Sequence, residues 1–294
     1  MNESKKAIYE IIPSKYYPKT ILITNKLPFQ EVLSLLEFSQ IAYPLIAKPD
    51  IGLRGSAVKK ICNAEELDAY NFAADFDYLI QDLIPYENEV GIFYVRFPNE
   101  STGRITGIVS KEFLIIVGDG KSTMAELISC NPRFAIQLKV LQKEYGNMLE
   151  TILPINEKKN LVPYGNHVRG AKFLDASNLN SEKLTSVIDN ICIQLAGFYF
   201  GRLDIMYNSI EELEQGKNFS IVEVNGAASE PTHIYDPKHS IWFAWKELIR
   251  HVTYMYEISV ENNRNGIDYL PHKIGMKEYR MHLANNKKIL AFNK

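Results

Sequence analysis

Cysteine is scarce in this 294-residue chain: Cys62, Cys130 and Cys192 are odd in number, far apart and free of any C-x-x-C spacing. That excludes a disulfide framework and a cysteine-built zinc site, and a reducing cytoplasm is the expected home. An excess of one charge is missing too. Against 33 Lys and Arg stand 35 Asp and Glu, a formal net charge of -2, so there is no general pull toward nucleic acid or an anionic membrane. Apolar runs long enough to span a bilayer are absent, and the opening MNESKKAIYEIIPSKYYPKT has no signal-peptide core. A soluble protein is expected. No G-x-S-x-G or cysteine–histidine signature of a covalent nucleophile occurs. VGDGKST at 117–123 has the end of a P-loop without its beginning, because the first glycine of G-x-x-x-x-G-K-[ST] would fall on Ile115.

What is present is a globular composition, 46% hydrophobic and 23% charged, enough for one large domain or two modest ones. PFQEVLSLLEFSQI puts Val32, Leu35 and Leu36 at helical spacing, and YPLIAKP is a short buried strand stopped by Pro49. SAVKKI is the next strand, NAEELDAYNF a helix capped by Asn63 with Glu66 three residues on, and YLIQDLI an apolar strand. Residues 20–84 therefore read as a small α/β lobe. In the remainder, ENEVGIFYVRF and GRITGIVSKEFLII are long paired strands, and Thr123 with Glu126 forms a capping box. SEKLTSVIDNICIQLAGF lines up Leu184, Val187, Ile188, Ile191, Cys192, Leu195 and Ala196 on one helical face, which makes Cys192 a core thiol. Strands GRLDIMY and FSIVEVN follow. A last amphipathic helix runs through Ile241, Trp245, Leu248 and Val252, with Trp242 and Trp245 expected in the core, and the basic end (Lys273, Lys277, Arg280, Lys287, Lys288, Lys294) reads as a solvated tail.

The two late strands carry the strongest chemical pattern. Alternation aims Arg202 and Asp204 to one face, and Glu223 and Asn225 to one face of the neighbour. Two carboxylates and an amide oxygen are hard ligands of the kind that hold Mg²⁺ together with substrate phosphates. The same residues on the wet side of an antiparallel sheet would be ordinary. Earlier in the chain, IAKPDIGLRGSAVKKI sets Lys48 at a strand end before a loop with Gly52, Arg54 and Gly55, a turn whose backbone N–H groups can cover a polyphosphate.

In this order, from about Thr20 to about Tyr256, the segments YPLIAKPDIGLRGSAV, YLIQDLI, GRLDIMY and IVEVNG resemble the ATP-grasp superfamily. The likeness is to its carboxylate–amine ligase branch, which contains D-alanine:D-alanine ligase and cyanophycin synthetase. VGDGKSTMAELI resembles a connection to a helical insertion in those enzymes, one that does not cradle phosphate. The resemblance implies an α/β (α+β) fold of two lobes, each a mainly antiparallel sheet with packed helices, and nucleotide between them. The expected boundaries are an N-terminal extension at 1–19, the small lobe at 20–84, the large lobe at 85–260 and the basic tail at 261–294. The further N-terminal domain usual in the branch is expected to be missing, its surface then supplied by a partner protein, made unnecessary by a large substrate, or lost because the chain is shortened.

Carried over by position, the resemblance implies that Lys48 contacts the ATP phosphates and that Gly52, Arg54 and Gly55 cover them. Gln81, Asp82, Leu83 and Ile84 would line the adenine, and Glu87 or Glu89 would hold the ribose. Lys111 would be a second phosphate-binding, catalytic lysine. Asp204, Glu223 and Asn225 would bind Mg²⁺ or Mn²⁺, with Arg202 stabilising the transferring phosphoryl group or an oxyanion. Asn166, His167, Arg169 and Gly170 would form the substrate loop. The implied activity is an ADP-producing, amide-forming ligase acting on a small-molecule or peptide carboxylate and an amine, without nucleic acid or membrane. A kinase, a regulatory nucleotide-binding module, an interaction protein using the tail and tryptophans, and a homodimer all stay open at this point.

Overall fold

The computed structural model describes residues 4–52, 55–162 and 170–292. Its α/β architecture rests on two main sheets. The four-stranded sheet has the order β1-β4-β2-β3, with β1 Thr20–Ile23, β2 Leu45–Pro49, β3 Lys59–Ile61 and β4 Tyr78–Asp82, all antiparallel. Helices α2 (Phe29–Ser39) and α3 (Ala64–Ala73) cover one side, burying Val32, Leu36, Leu67 and Tyr70 against Ile23, Leu45, Ala47 and Ile80. Asn63 caps α3 as its position predicts: its side chain accepts the Glu66 N–H, and the Glu66 carboxylate accepts the Cys62 N–H.

The five-stranded sheet has the order β11-β10-β5-β6-β9, from β5 Asn88–Val95, β6 Arg104–Glu112, β9 Lys172–Asp175, β10 Phe200–Tyr207 and β11 Phe219–Asn225. Under it lies α7 (Glu182–Cys192), whose Leu184, Ile188, Ile191 and Cys192 meet Ile92, Ile108, Leu203, Ile205 and Ile221. Cys192 is a core thiol as expected, and burial pushes its pKa well up. Ala196, expected on that face, lies past the end of the helix and is exposed. The short α8 (Ile210–Leu213) sits in the connection between β10 and β11.

By contacts the chain divides into two compact units, residues 1–110 with 174–294 and residues 111–173. The second contains the two-stranded sheet of β7 (Ile115–Val117) and β8 (Lys158–Asn160) and helices α4 (Met124–Ser129), α5 (Pro132–Ala135) and α6 (Leu138–Tyr145), around Leu114, Ile116, Met124, Ile128, Leu141 and Leu161. VGDGKST is a capped turn here. Asp119 accepts the backbone N–H groups of Lys121 and Ser122 and the Ser122 hydroxyl, which hold its carboxyl at about 2, and Thr123 and Glu126 form the expected capping box. Lys121 leads into α4 on an Asx turn.

Both chain ends are helical, and the basic residues Lys273, Lys277, Arg280, Lys287 and Lys288 are exposed as expected. The stretch read as an N-terminal extension contains α1 (Lys5–Ile11), capped by Ser4 and docked by its buried Tyr9 and Ile12 into the large core. The stretch read as a solvated tail is the 21-residue helix α10 (His272–Phe292), which packs Ile289 and Phe292 into the small-sheet core.

The helix α9 (Ile241–Arg264) corrects one reading. Its apolar stripe faces water: Trp242 is 80% exposed and Trp245 59%, whereas Glu247 and His251 are buried at 7% and 2%. The cause is the polar rim that α9 meets. β6 carries a bulge, since Phe93 pairs with Gly107 and Tyr94 with Ile105, which leaves Thr106 as the extra residue. The Thr106 carbonyl accepts from Arg250 at 2.8 Å and its hydroxyl lies 2.9 Å from His251 Nε2. The Glu247 carbonyl at 2.8 Å takes the His251 Nδ1 proton, so Nε2 is the acceptor for Thr106. His233 completes the set 3.4 Å from the Glu247 carboxylate, stacked over the bare Cα of Gly107, where a Cβ would meet its ring at 2.3 Å. Satisfied in this way, Glu247 and His251 pack beside Ile258, which meets Phe93, Val95 and Phe200, while Lys246 and Glu257 stay exposed.

Among the described residues no helix is long and apolar enough to cross a membrane.

Candidate functional site

β10 and β11 pair with Arg202 opposite Asn225 and Asp204 opposite Glu223, so the four polar side chains predicted to converge do share a face. Regular alternation produces this as far as Glu223 and breaks just beyond it. Asp204 and Ile205, adjacent on β10, pair with Glu223 and Ile221, two apart on β11, because Val222 is a bulge. Without that extra residue Ile221 and Glu223 would face the same way. With it, Ile221 enters the core and Glu223 faces the cleft.

Arg202 grips Asp204 with both arms, Nε to Oδ1 at 2.8 Å and Nη2 to Oδ2 at 3.2 Å, and a third contact reaches the Glu230 carbonyl at 3.4 Å. Burial alone would lower the guanidinium pKa, but Asp204 holds it above its ordinary value. The Asn225 amide lies 3.5 Å from Asp204 Oδ2. Room for the pair comes from Gly91 of β5, a residue that no pattern in the sequence singled out: a Cβ there would stand 3.0 Å from both Asp204 Oδ1 and Arg202 Cδ. The chemistry of the donors fits magnesium. Asp204, Glu223 and the Asn225 amide oxygen are hard ligands, and among the described residues no group of three His, Cys, Asp or Glu side chains is placed to hold a metal ion by itself.

Facing β11 from the small sheet is Lys48. It is buried, and its ammonium donates to Gln81 Oε1 and the Tyr9 hydroxyl at 2.9 Å each and lies 3.4 Å from the Val222 carbonyl. Tyr9 itself donates to that same carbonyl. The bulge thus turns one carbonyl toward two donors. Loss of hydration drives the Lys48 pKa down to about 8, with Glu223 and Asp50 pulling the other way.

A second cation was missed in the sequence. Lys5 of α1 donates to the Gly52 carbonyl at 3.1 Å and stands 3.8 Å from Glu223. Asp50 places it by accepting the Ser4 hydroxyl at 3.0 Å and the Lys6 N–H at 2.8 Å. Seven residues of helix preceding a proline carry no periodicity strong enough to tie them to a strand 200 residues away; the S-x-x-x spacing of the cap was the only local sign.

Of the remaining candidates, Gln81 is buried and bridges Lys48 to Thr20, to whose hydroxyl it donates at 2.7 Å. Asp82, Leu83 and Ile84 are half-buried and line a cavity of about 350 Å³ with Pro44, Tyr86 and Phe219. Glu89 is buried and, by alternation on β5, lies on the Gly91 face, whereas Glu87 precedes the strand and is exposed. Lys111 is buried in the second unit, its ammonium 5.8 Å from the Phe173 ring. Gly170 is in that unit too, in a left-handed conformation (φ 99°), with its carbonyl bonded by Arg133 at 3.0 Å. Gly52 and Gly55 are at the two sides of the loop, while Arg54, Asn166, His167 and Arg169 lie outside the described residues.

No family model and no curated protein matches the sequence. Solved structures similar to it include a bifunctional glutathione synthetase from Pasteurella multocida (15% identity, TM-score 0.42, covering 79% of this chain and 33% of that one). Others are D-alanine–D-alanine ligase from Bacillus anthracis (13%, TM-score 0.48, 89% of this chain and 68% of that one) and VanG D-Ala:D-Ser ligase from Enterococcus faecalis (14%, TM-score 0.46, 88% and 60%). The chain therefore spans a third of the first of these and roughly two thirds of the others.

Proposed function

We propose that the protein is an ATP-dependent carboxylate–amine ligase that forms an amide through an acyl phosphate and releases ADP and phosphate. One observation supports this above the rest: two ammonium groups from the small-sheet side, Lys48 and Lys5, converge on the bulge of β11, directly beside the Arg202–Asp204–Glu223–Asn225 cluster. Cations opposite a hard-oxygen cluster suit a magnesium-bound polyphosphate.

In this reading Lys48 and Lys5 exchange their carbonyl and carboxylate contacts for phosphate oxygens, and Gly52 and Gly55 offer backbone N–H groups. The hinge residues Gln81 to Ile84 receive the base, and Glu89 is the ribose-binding glutamate, since Glu87 is turned to solvent. Mg²⁺ held by Asp204, Glu223 and Asn225 would neutralise charge on the phosphate oxygens. Arg202, fixed by two hydrogen bonds, supplies a preorganised positive charge toward the transferring phosphoryl group and then toward the oxyanion formed when an amine attacks. The proposed lobes are 20–84 and 85–260, with α10 packed on the core of the small one and Tyr9 and Ile12 on that of the large one.

The products decide. A pooled screen of amino acids, small peptides and polycarboxylates with hydroxylamine as surrogate amine should yield ADP together with a hydroxamate. Release of AMP and pyrophosphate would refute the acyl-phosphate route, and ADP with a stable phosphorylated product indifferent to hydroxylamine would identify a kinase.

A further inference from the structure

On α9 every charged residue and the histidine (Lys246, Glu247, Arg250, His251, Glu257, Glu261, Arg264) falls within one arc of the helix at 100° per residue, and the opposite arc is apolar along Ile241–Tyr256 apart from Thr253, with Ser259, Asn262 and Asn263 near its C-terminal end. Ordinary amphipathic surface helices bury the apolar arc. Here the anchored arc is the one that carries Glu247, Arg250 and His251, held through Thr106 and His233 and by the buried Ile258, and Ile241, Trp242, Trp245, Leu248, Ile249, Val252 and Tyr256 are all exposed. At about 200 Å² per large side chain these exposures amount to roughly 800 Å², more than the largest apolar patch of a typical monomer and equal to one partner's share of a standard interface.

We infer that this face is a dimer interface, on which two copies of the chain pair their α9 helices antiparallel about a twofold axis near Ile249. The spacing suits that symmetry. Leu248 and Ile249 lie at the middle of the stripe, so Trp245 faces Val252 of the partner subunit and Ile241 faces Tyr256 of the partner subunit, each aromatic meeting a side chain of the opposite end. A lipid surface fits less well. Three basic residues on α9 (Lys246, Arg250, Arg264) are matched by three acidic ones (Glu247, Glu257, Glu261), so the helix offers no cationic flank to anionic headgroups.

Trp242 and Trp245 are the chain's two tryptophans, so intrinsic fluorescence reads this face alone. Static light scattering after gel filtration should give twice the 33.7 kDa chain mass, and dilution into the monomer range should red-shift the tryptophan emission. Trp245→Glu and, separately, Ile249→Lys should each give a monomer with unchanged circular dichroism and thermal unfolding, because both side chains lie outside the core. Should one variant fail to fold, the other carries the test. A wild-type chain that is monomeric at 100 µM, or a dimer that survives both substitutions, would overturn the inference. So would a monomer whose emission blue-shifts only on vesicles containing phosphatidylglycerol, which would assign the face to lipid.

Discussion

Lys48 carries its own pH signature. Its folded-state pKa is lowered from 10.5 to about 8 by burial, so between those values the unfolded chain holds a proton that the folded chain has released. Stability then rises with pH across that window, and below it the full cost of burying the ammonium is present. At about 1.4 kcal/mol per pH unit, the rise sums to about 3 kcal/mol. Lys48→Met removes the titrating group, and other groups, including the buried tyrosines, cancel when the two proteins are compared. Urea unfolding of both, at intervals from pH 7.5 to 10.5, should therefore give a difference curve that climbs by about 3 kcal/mol in favour of the wild type. Saturating Mg-ATP should flatten the climb, because phosphate beside the ammonium restores its charge. A flat difference curve without ligand would show that Lys48 is not held as described. A climb unaffected by Mg-ATP would leave the burial intact and remove nucleotide from the proposal.

Asp204→Asn and Glu223→Gln should each lower ATP turnover at least a hundredfold in a coupled ADP assay; Asp204→Asn should in addition cost about 1–3 kcal/mol in urea, because it weakens the partner of a buried guanidinium. Gly107→Ala forces a Cβ to within 2.3 Å of the His233 ring and should lower stability by about 1–3 kcal/mol, read as a drop in Tm. With Cys62 and Cys130 exposed and Cys192 buried, a disulfide reagent should titrate two thiols in the native protein and the third only in denaturant.

Alternation and capping were legible where they act locally. Asn63, Thr123 with Glu126, the core face of α7 and the sharing of one side by Arg202, Asp204, Glu223 and Asn225 all follow from periods of 2 or 3.6 residues and are present. Periodicity also located the apolar stripe of α9, but it says nothing about which side a helix packs; that was decided by Thr106 and His233, brought there by a bulge and by the bare Gly107. Lys5 and Gly91 were invisible for a related reason. Each matters only through residues far away in the chain, a carboxylate at 223 and an ion pair at 202–204.

The bulge at Val222 puts part of the site's specification in the number of residues rather than in their kinds. Because Val222 is the residue that lets Ile221 and Glu223 point in opposite directions, almost any side chain can stand there provided its carbonyl remains, yet its deletion would swap core and cleft for everything on one side of the strand. Point mutation explores this site gently; a one-codon deletion rewrites it. A library of single-codon deletions along 219–225 should therefore show a sharp loss at 222, whereas a substitution library at the same position stays largely active.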